Sequence, residues 1–510
     1  MKKLVLSAAV AFFATASAMA QTNVDSSTQS GTGHEATTNQ DGSANNNLLN
    51  QSGSDHTSTV DQVGADNDAI TSQTNSGSES TINQDGDENW ASVSQSGINQ
   101  KSTLTQEGDN NIALTSQSGN GNMSSVMQDG NGNNATTTQS GNNDSTLTQQ
   151  GNTNVATISQ TGENWSEVMQ DGSGNDAIVT QGGVGNSSDL LQDGNGNNAT
   201  ITQSDGYRPL DNNISVAEQD GNDNTLSVLQ VGTGGNSSDV LQRGNENETK
   251  IVQNSTNTAD VIQRGNGNEV DSYQFGTNTV EINQRGNDNY AKEYARGTNN
   301  STTINQLFGN NNSANVRHTG PGGATTGSNN DVTVLQSLGN NNEAGIVQFG
   351  SDNTVAITQS LGNRNFADVD QIGNGNTATI STTAGSDNDA IALQEGNLNT
   401  ATITQTVGNF NMSNISQIGD SNTATASQTL FASSNDIFIS QTGNSNTGTA
   451  SQSWGSNNMI DLMQSGDMNM ATSTQMGSDH MATISQTGGN HMHTGMQTGS
   501  GNVMTITQSN

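Results

Sequence analysis

"MQDGNGNNATTTQSG", Met127 to Gly141, carries two glutamines eleven positions apart, Gln128 and Gln139, each followed two residues later by glycine. The same step runs backward through Gln117, Gln106, Gln95 and Gln84 to Gln29, and forward in steps of mostly ten to twelve residues to Gln508. Of 43 such slots 40 hold Gln, and Ala295, His318 and Thr382 fill the others. A fixed period of this kind points to a repeat architecture before any domain assignment is attempted.

A second regularity lies inside each unit. The residues two, four and six positions before Gln160 are Ile158, Ala156 and Asn154; before Gln203 they are Ile201, Ala199 and Asn197. This period-two alternation puts Asn, a small residue, an aliphatic residue and Gln on one face of a seven-residue strand, with Ser, Thr, Asp and Asn facing water. Four residues remain before the next Asn, as in "DGNG" at 129 to 132, and their Gly and Asn content suits a tight reversal. Glycine and β-branched residues at this spacing exclude a helix. The small position alternates Ser and Ala without error from Ser80 to Ala199, so one coil is two units.

The predicted fold is therefore all-β: a solenoid of about 21 strand-turn-strand-turn coils, 43 strands in all, with cross-β stacking. At a spacing of ~4.8 Å between paired strands the rod is roughly 100 Å long. Stacked amides are expected to bond to the same residue one coil away, since buried amides are costly unless paired. The predicted ladder comprises Asn122, Gln128, Asn133, Gln139, Asn143, Gln149, Asn154, Gln160, Asn164, Gln170, Asn175, Gln181, Asn186, Gln192, Asn197 and Gln203.

Composition alone points elsewhere. With 28% hydrophobic residues, 3% aromatic and a formal charge of -36, the chain has the make-up of a disordered polymer, and only the order of its residues argues otherwise. There is no cysteine, so disulfides stabilise nothing. Residues 1–20 read as a secretory signal: Lys2 and Lys3, an apolar run from Leu4, then Ala18-Met19-Ala20 before cleavage at Gln21. The run is too short for a bilayer anchor. Residues 21–510 form one repeat solenoid, with turn insertions near 204–212 and 319–329 around the only prolines, Pro209 and Pro321.

Charge is organised by the repeat. The position after Gln carries Asp85, Glu107, Asp129, Asp171, Asp193 and Asp220 on one edge, expected to act as gatekeepers against uncontrolled assembly. Neighbouring carboxylates repel by about 1 kcal/mol in high dielectric, less than the several backbone hydrogen bonds of a strand at roughly 0.5 to 1.5 kcal/mol each. Charge thus slows pairing without preventing it. The same edge turns positive at Arg243, Arg264 and Arg285, either as exposed turn charges or as a column for lateral association. Neither end shows a cap, since "NVDSSTQ" starts two residues after the cleavage site and the chain finishes two residues after Gln508. The expected partner is a second copy, added head to tail.

"SSVMQDGNGNNATTTQSGNNDSTLTQ", residues 124 to 149, resembles the curlin repeat of curli fibre subunits: Ser, then Gln-x-Gly-x-x-Asn-x-Ala-x-x-x-Gln. The resemblance implies a secreted functional amyloid of Gram-negative bacteria, a cell-surface fibre of the biofilm matrix that mediates adhesion and aggregation. It also implies a nucleator subunit and an outer-membrane secretion pore as partners.

Other functions find less support. A discrete solenoid that binds calcium or ice and does not polymerise is the alternative. The acidic turn "DGDEN" at 85 to 89 suits calcium by ligand type, but the nonapeptide pattern of calcium β-rolls is missing. Outward Thr-x-Thr pairs, at Thr103/Thr105, Thr136/Thr138, Thr146/Thr148, Thr200/Thr202, Thr402/Thr404, Thr472/Thr474 and Thr505/Thr507, read as scattered over both faces, whereas ice binding needs them aligned on one. His480 and His491 occupy the Asn slot and His493 the small-residue slot, so amide replacement outweighs metal binding, and no cofactor or metal site is predicted. No nucleophile has a base at a sensible spacing, which argues against an enzyme, although Glu293 points inward in a weak strand. Negative charge argues against nucleic acid as a partner, and no later segment is apolar enough to cross a membrane.

Overall fold

The computed structural model describes residues 22–205, 212–232, 234–319 and 327–510. The signal segment 1–20 and the centres of both turn insertions, with Pro209 and Pro321, lie outside these residues.

The described residues form forty strands and no helix. Each rung pairs in parallel with the rung two places along the chain. Met123–Asn131 lies between Lys101–Glu107 and Asp144–Asn152, while Asn134–Gly141 lies between Ile112–Asn120 and the first half of Val155–Ser173. Two ladders result, facing one another across the core: a first sheet containing Gln139 and a second containing Gln128. Four elements, Val155–Ser173, Asp176–Asn195, Glu269–Arg285 and Tyr290–Leu307, run unbroken round an arc and carry two rungs each. Gly327–Ser328 belongs to an arc. The rungs therefore number the 43 read from the sequence.

Alternation governs burial. In Met123–Asn131 the side chains of Ser124, Val126 and Gln128 are buried and those between them exposed. Val and Ile favour this pleated, one-sided setting because their branched side chains pack across it. The small residue opposite each aliphatic one keeps the sheets close, and the apolar core runs as one cluster from Val60 to Ile484.

The arcs explain the glycine that stands two residues after most of the glutamines, a place taken by Asn75 after Gln73 and by Ser255 after Gln253 with φ 80° and 85°. Gly130 has φ 118°, and a Cβ there would lie 2.0 Å from the carbonyl oxygen of Gly151 in the next coil. Only glycine allows arcs to stack at strand spacing with this backbone. Both insertions leave the stack intact. Gln192 bonds to Gln219 across 27 residues and Gln306 to Gln336 across 30, where neighbouring coils span 21 to 23.

Candidate self-assembly site

The glutamines form two long chains of side-chain hydrogen bonds with one direction, each interrupted once. In the second sheet Gln106 Nε2 donates to Gln128 Oε1 (2.9 Å), Gln128 to Gln149 (2.8 Å), Gln149 to Gln170 (2.8 Å) and Gln170 to Gln192 (2.8 Å). In the first sheet Gln139 donates to Gln160 (3.0 Å), Gln160 to Gln181 (2.8 Å) and Gln181 to Gln203 (2.8 Å). The second N–H of each amide crosses to the opposite strand, as from Gln128 to the Ile112 carbonyl (2.9 Å) and from Gln139 to the Met123 carbonyl (2.8 Å). A buried amide is thus satisfied by its two neighbours in the stack and one backbone group.

The asparagines work differently, and sequence alone did not reveal how. In the first sheet each Oδ1 accepts the backbone N–H of the next Asn, as Asn133 does from Asn154, Asn154 from Asn175 and Asn175 from Asn197, each at 3.0 Å. Their Nδ2 groups donate to arc carbonyls one coil on, Asn133 to Gly151 (2.8 Å) and Asn197 to Gly221 (2.8 Å). Direct amide pairs also occur in both sheets, in the second from Asn143 to Asn122 (3.1 Å), Asn164 to Asn143 (3.2 Å) and Asn186 to Asn164 (2.9 Å), and in the first from Asn224 to Asn197 (3.1 Å) and Asn247 to Asn224 (3.0 Å). Asn therefore ties the arcs to the sheets.

Histidine substitutes in this slot by the same geometry. The backbone N–H of Asn502 donates to His480 Nδ1 (3.2 Å), and His480 Nε2 faces the Met476 carbonyl (3.2 Å), the two contacts an Asn amide would make. His491 Nε2 faces the Thr487 carbonyl (3.0 Å) in the same way, and His493 lies in register with Ala471.

The first-sheet ladder breaks between Gln274 and Gln348, where Ala295 and His318 stand in register with the glutamines. Glu293 beside the break is buried, its Oε2 accepting from Ser272 Oγ at 2.9 Å. Burial pushes its carboxyl up to about 8, against the pull of hydrogen bonds from Ser272 and the Tyr273 backbone. His318 packs its Nε2 2.8 Å from Thr302 Oγ1, and burial drives its imidazole down to about 4, opposed by Gln348. Thr382 interrupts the other ladder more gently, since its hydroxyl still donates to Gln405 (3.3 Å).

The acidic positions line up as one column on the second sheet. Asp85 registers with Glu107, Glu107 with Asp129, Asp171 with Asp193 and Asp193 with Asp220; Gln150 stands between Asp129 and Asp171. The column then continues into Arg243, Arg264 and Arg285. Arg243 is engaged within the chain, 3.7 Å from Asp220 and 3.1 Å from Glu218. A parallel row, Asp239, Asp260 and Glu281, runs alongside. Partial burial, and then the charges of Asp239 and Glu281, raise the Asp260 carboxyl.

A parallel β-solenoid whose coils are joined by directional amide ladders over most of its length is a structural repeat protein, and nearly every coil presents the groups that the neighbouring coil needs. The curlin associated repeat matches at eight places, residues 78–108, 172–204, 327–360, 362–392, 385–419, 414–443, 432–464 and 455–488, and the chain is a member of the curlin-repeat family. No curated protein matches the chain significantly. The family and the fold are structural in character, and the family is typically found as extracellular cell-surface fibres. No helix among the described residues is long and apolar enough to cross a membrane.

Proposed function

We propose that the chain is a secreted structural subunit that self-assembles into curli-like amyloid fibres of the biofilm matrix and mediates cell adhesion and aggregation. The observation that carries this reading is the translational sameness of the ladders. Away from Ala295, His318 and Thr382 each coil donates to the next what it accepts from the one before, as Gln106, Gln128 and Gln149 do, so the edges of such coils are complementary to one another. Strand Val24–Thr32 is exposed along its whole length, and strand Val503–Ser509 is half-buried or exposed. Head-to-tail docking of a second copy would pair such edges in parallel and extend both ladders.

On this reading the acidic column slows lateral and non-specific pairing, and assembly relies on a nucleating subunit and on export through an outer-membrane pore. The chain has no catalytic role. Incubating the purified mature chain with and without sonicated seed, followed by amyloid-dye fluorescence, tests the proposal. Seed should abolish the lag, and removing residues 21–40 and 502–510 together should weaken elongation. A soluble, dye-negative rod that never elongates would favour the discrete binding solenoid.

A further inference from the structure

The outward face of the second sheet changes character towards the C-terminus. On the four successive rungs 377–383, 400–406, 423–429 and 447–453, every outward position is Thr or Ser. Pairing holds them in register, so that Thr379, Thr402, Thr425 and Thr449 make one column, with further columns on either side. Thr472 and Thr474 extend two of the columns by a rung. As a class the Thr-x-Thr pairs are scattered over both sheets, as their sequence positions indicate. Four of the seven lie on the second sheet, and counting only that pattern overlooked Thr-x-Ser rows such as Thr425/Ser427.

Two features separate this array from ordinary strand composition. Thr suits any exposed strand, yet the first-sheet strands of the same coils, Asp389–Glu395, Met412–Ile418 and Asp436–Thr442, carry Asp389, Ile391, Asn414 and Phe438 outward. The coil does not require hydroxyls. Nor does the protein use them: among the described residues the one hydrogen bond made by these outward hydroxyls runs from Ser360 on the preceding rung to Thr383 (3.4 Å).

We infer that this face binds ice. The hydroxyls repeat every ~4.8 Å along the rod and about 6.6 Å along each strand, a two-dimensional lattice close to the oxygen repeat on a prism face of hexagonal ice. Each hydroxyl offers one donor and two acceptors to lattice water. The branched Thr side chain has few χ1 choices, so the array is already ordered before water joins it. No carboxylate or cation on these rungs organises water differently. A second copy packed dry against the face would have to supply a partner for every hydroxyl it covers. Ice leaves them bonded.

The mature chain, both before assembly and as sonicated fibres, is tested by partition into a slowly growing ice hemisphere and by inhibition of ice recrystallisation. The parent should enter the ice. Thr402→Tyr with Thr425→Tyr raises two bulky groups from the lattice and should reduce ice retention by about tenfold or more, the factor that corresponds to ~1.4 kcal/mol. Thr136→Tyr, on the first sheet, should leave retention unchanged, and Thr402→Ser should retain most of it. Circular dichroism and seeded elongation should match the parent in every variant, so the result is independent of whether the fibre reading holds. Exclusion of the parent from ice, or equal retention by the double variant, would overturn the inference. So would a parent without ice activity whose double variant lost fibre bundling, because the face would then be a contact between copies.

Discussion

Glu293→Gln should stabilise the centre of the rod, and should do so only where the parent residue is forced to ionise. The Glu293 carboxyl rises from 4.5 to about 8 on burial. A folded-state value above the unfolded one means that stability is complete below pH 4.5 and is lost as pH climbs towards and through 8. At ~1.4 kcal/mol per unit the loss is about 3 kcal/mol at neutral pH and about 5 kcal/mol once the group is ionised in both states. His318, one rung on, has the opposite sign. Its imidazole falls from 6.5 to about 4, so stability is complete above pH 6.5 and lost as pH falls through 4. Between pH 4.5 and 6.5 the two losses trade against each other and the parent should be level, with decline on the alkaline side governed by Glu293. Because coils interact with their neighbours alone, the effect is local and is read by hydrogen exchange of residues 290–318, corrected for intrinsic rate. Glu293→Gln should slow that exchange about a hundredfold near neutral pH, as expected for about 3 kcal/mol, and leave it unchanged at pH 4. A gain of equal size at both pH values would refute the reasoning, since it would mean that packing rather than ionisation sets the cost.

Gln128→Ala would leave the Gln106 amide without its acceptor and the Gln149 carbonyl oxygen without its donor, and would take from the Ile112 carbonyl its side-chain donor; at ~1–3 kcal/mol for each orphaned group, exchange in these coils should accelerate far more than in the outward control Thr148→Ala. Ser124→Ala should be neutral or stabilising by about 1 kcal/mol in the same assay, because the buried Ser124 hydroxyl has no partner and a methyl group needs none. Gly130→Ala should block elongation of seeds made from the variant, as its Cβ would meet the Gly151 carbonyl oxygen at 2.0 Å in a backbone conformation closed to alanine. Arg243→Glu should change stability by less than about 1 kcal/mol, and less in high salt, since both its ion pairs are substantially exposed.

Legibility in the sequence followed the period of each feature. Strand parity has a period of two and the coil a period of about 22, and both survive small changes in turn length, so the inward placement of Ala156, Ile158 and Gln160 could be read directly. Columns are less accessible. They require the pairing register of every coil, and the spans of 27 and 30 residues at the insertions hide it in a linear reading. The threonine lattice lies beyond both insertions and was hidden for a different reason: its rows use Thr and Ser interchangeably and its regularity exists only between coils. The separate role of Asn was illegible for another reason. Gln and Asn carry the same amide, but the shorter Asn side chain lies close enough to the arc for its oxygen to accept a backbone N–H as well as a neighbouring amide.

The break in the first-sheet ladder raises the question of what holds those coils together. Ala295 and His318 remove the amide bonds that would link Gln274 to Gln348, each worth roughly 0.5–1.5 kcal/mol net. On the outer surface of the same rungs, aromatic and basic side chains collect as they do nowhere else among the described residues. Phe275 and Tyr273 lie 5.7 and 6.4 Å from Tyr294, ring centre to ring centre. Lys250 and Lys292 approach the Tyr273 ring at 5.4 and 6.0 Å, and Arg317 approaches Tyr294 at 6.0 Å. Aromatic pairs contribute about 0.5–1.5 kcal/mol and exposed cation–ring contacts about 0.5–1 kcal/mol, so the external contacts match the internal loss in scale. They also join two of the three steps that the missing amides would have joined, from Gln274 to Ala295 and from Ala295 to His318. The basic residues in the middle of an acidic rod thus have a reason in the stacking itself: with the amide spine interrupted, cohesion between coils passes to the outer face, where lysine and arginine can lie on tyrosine.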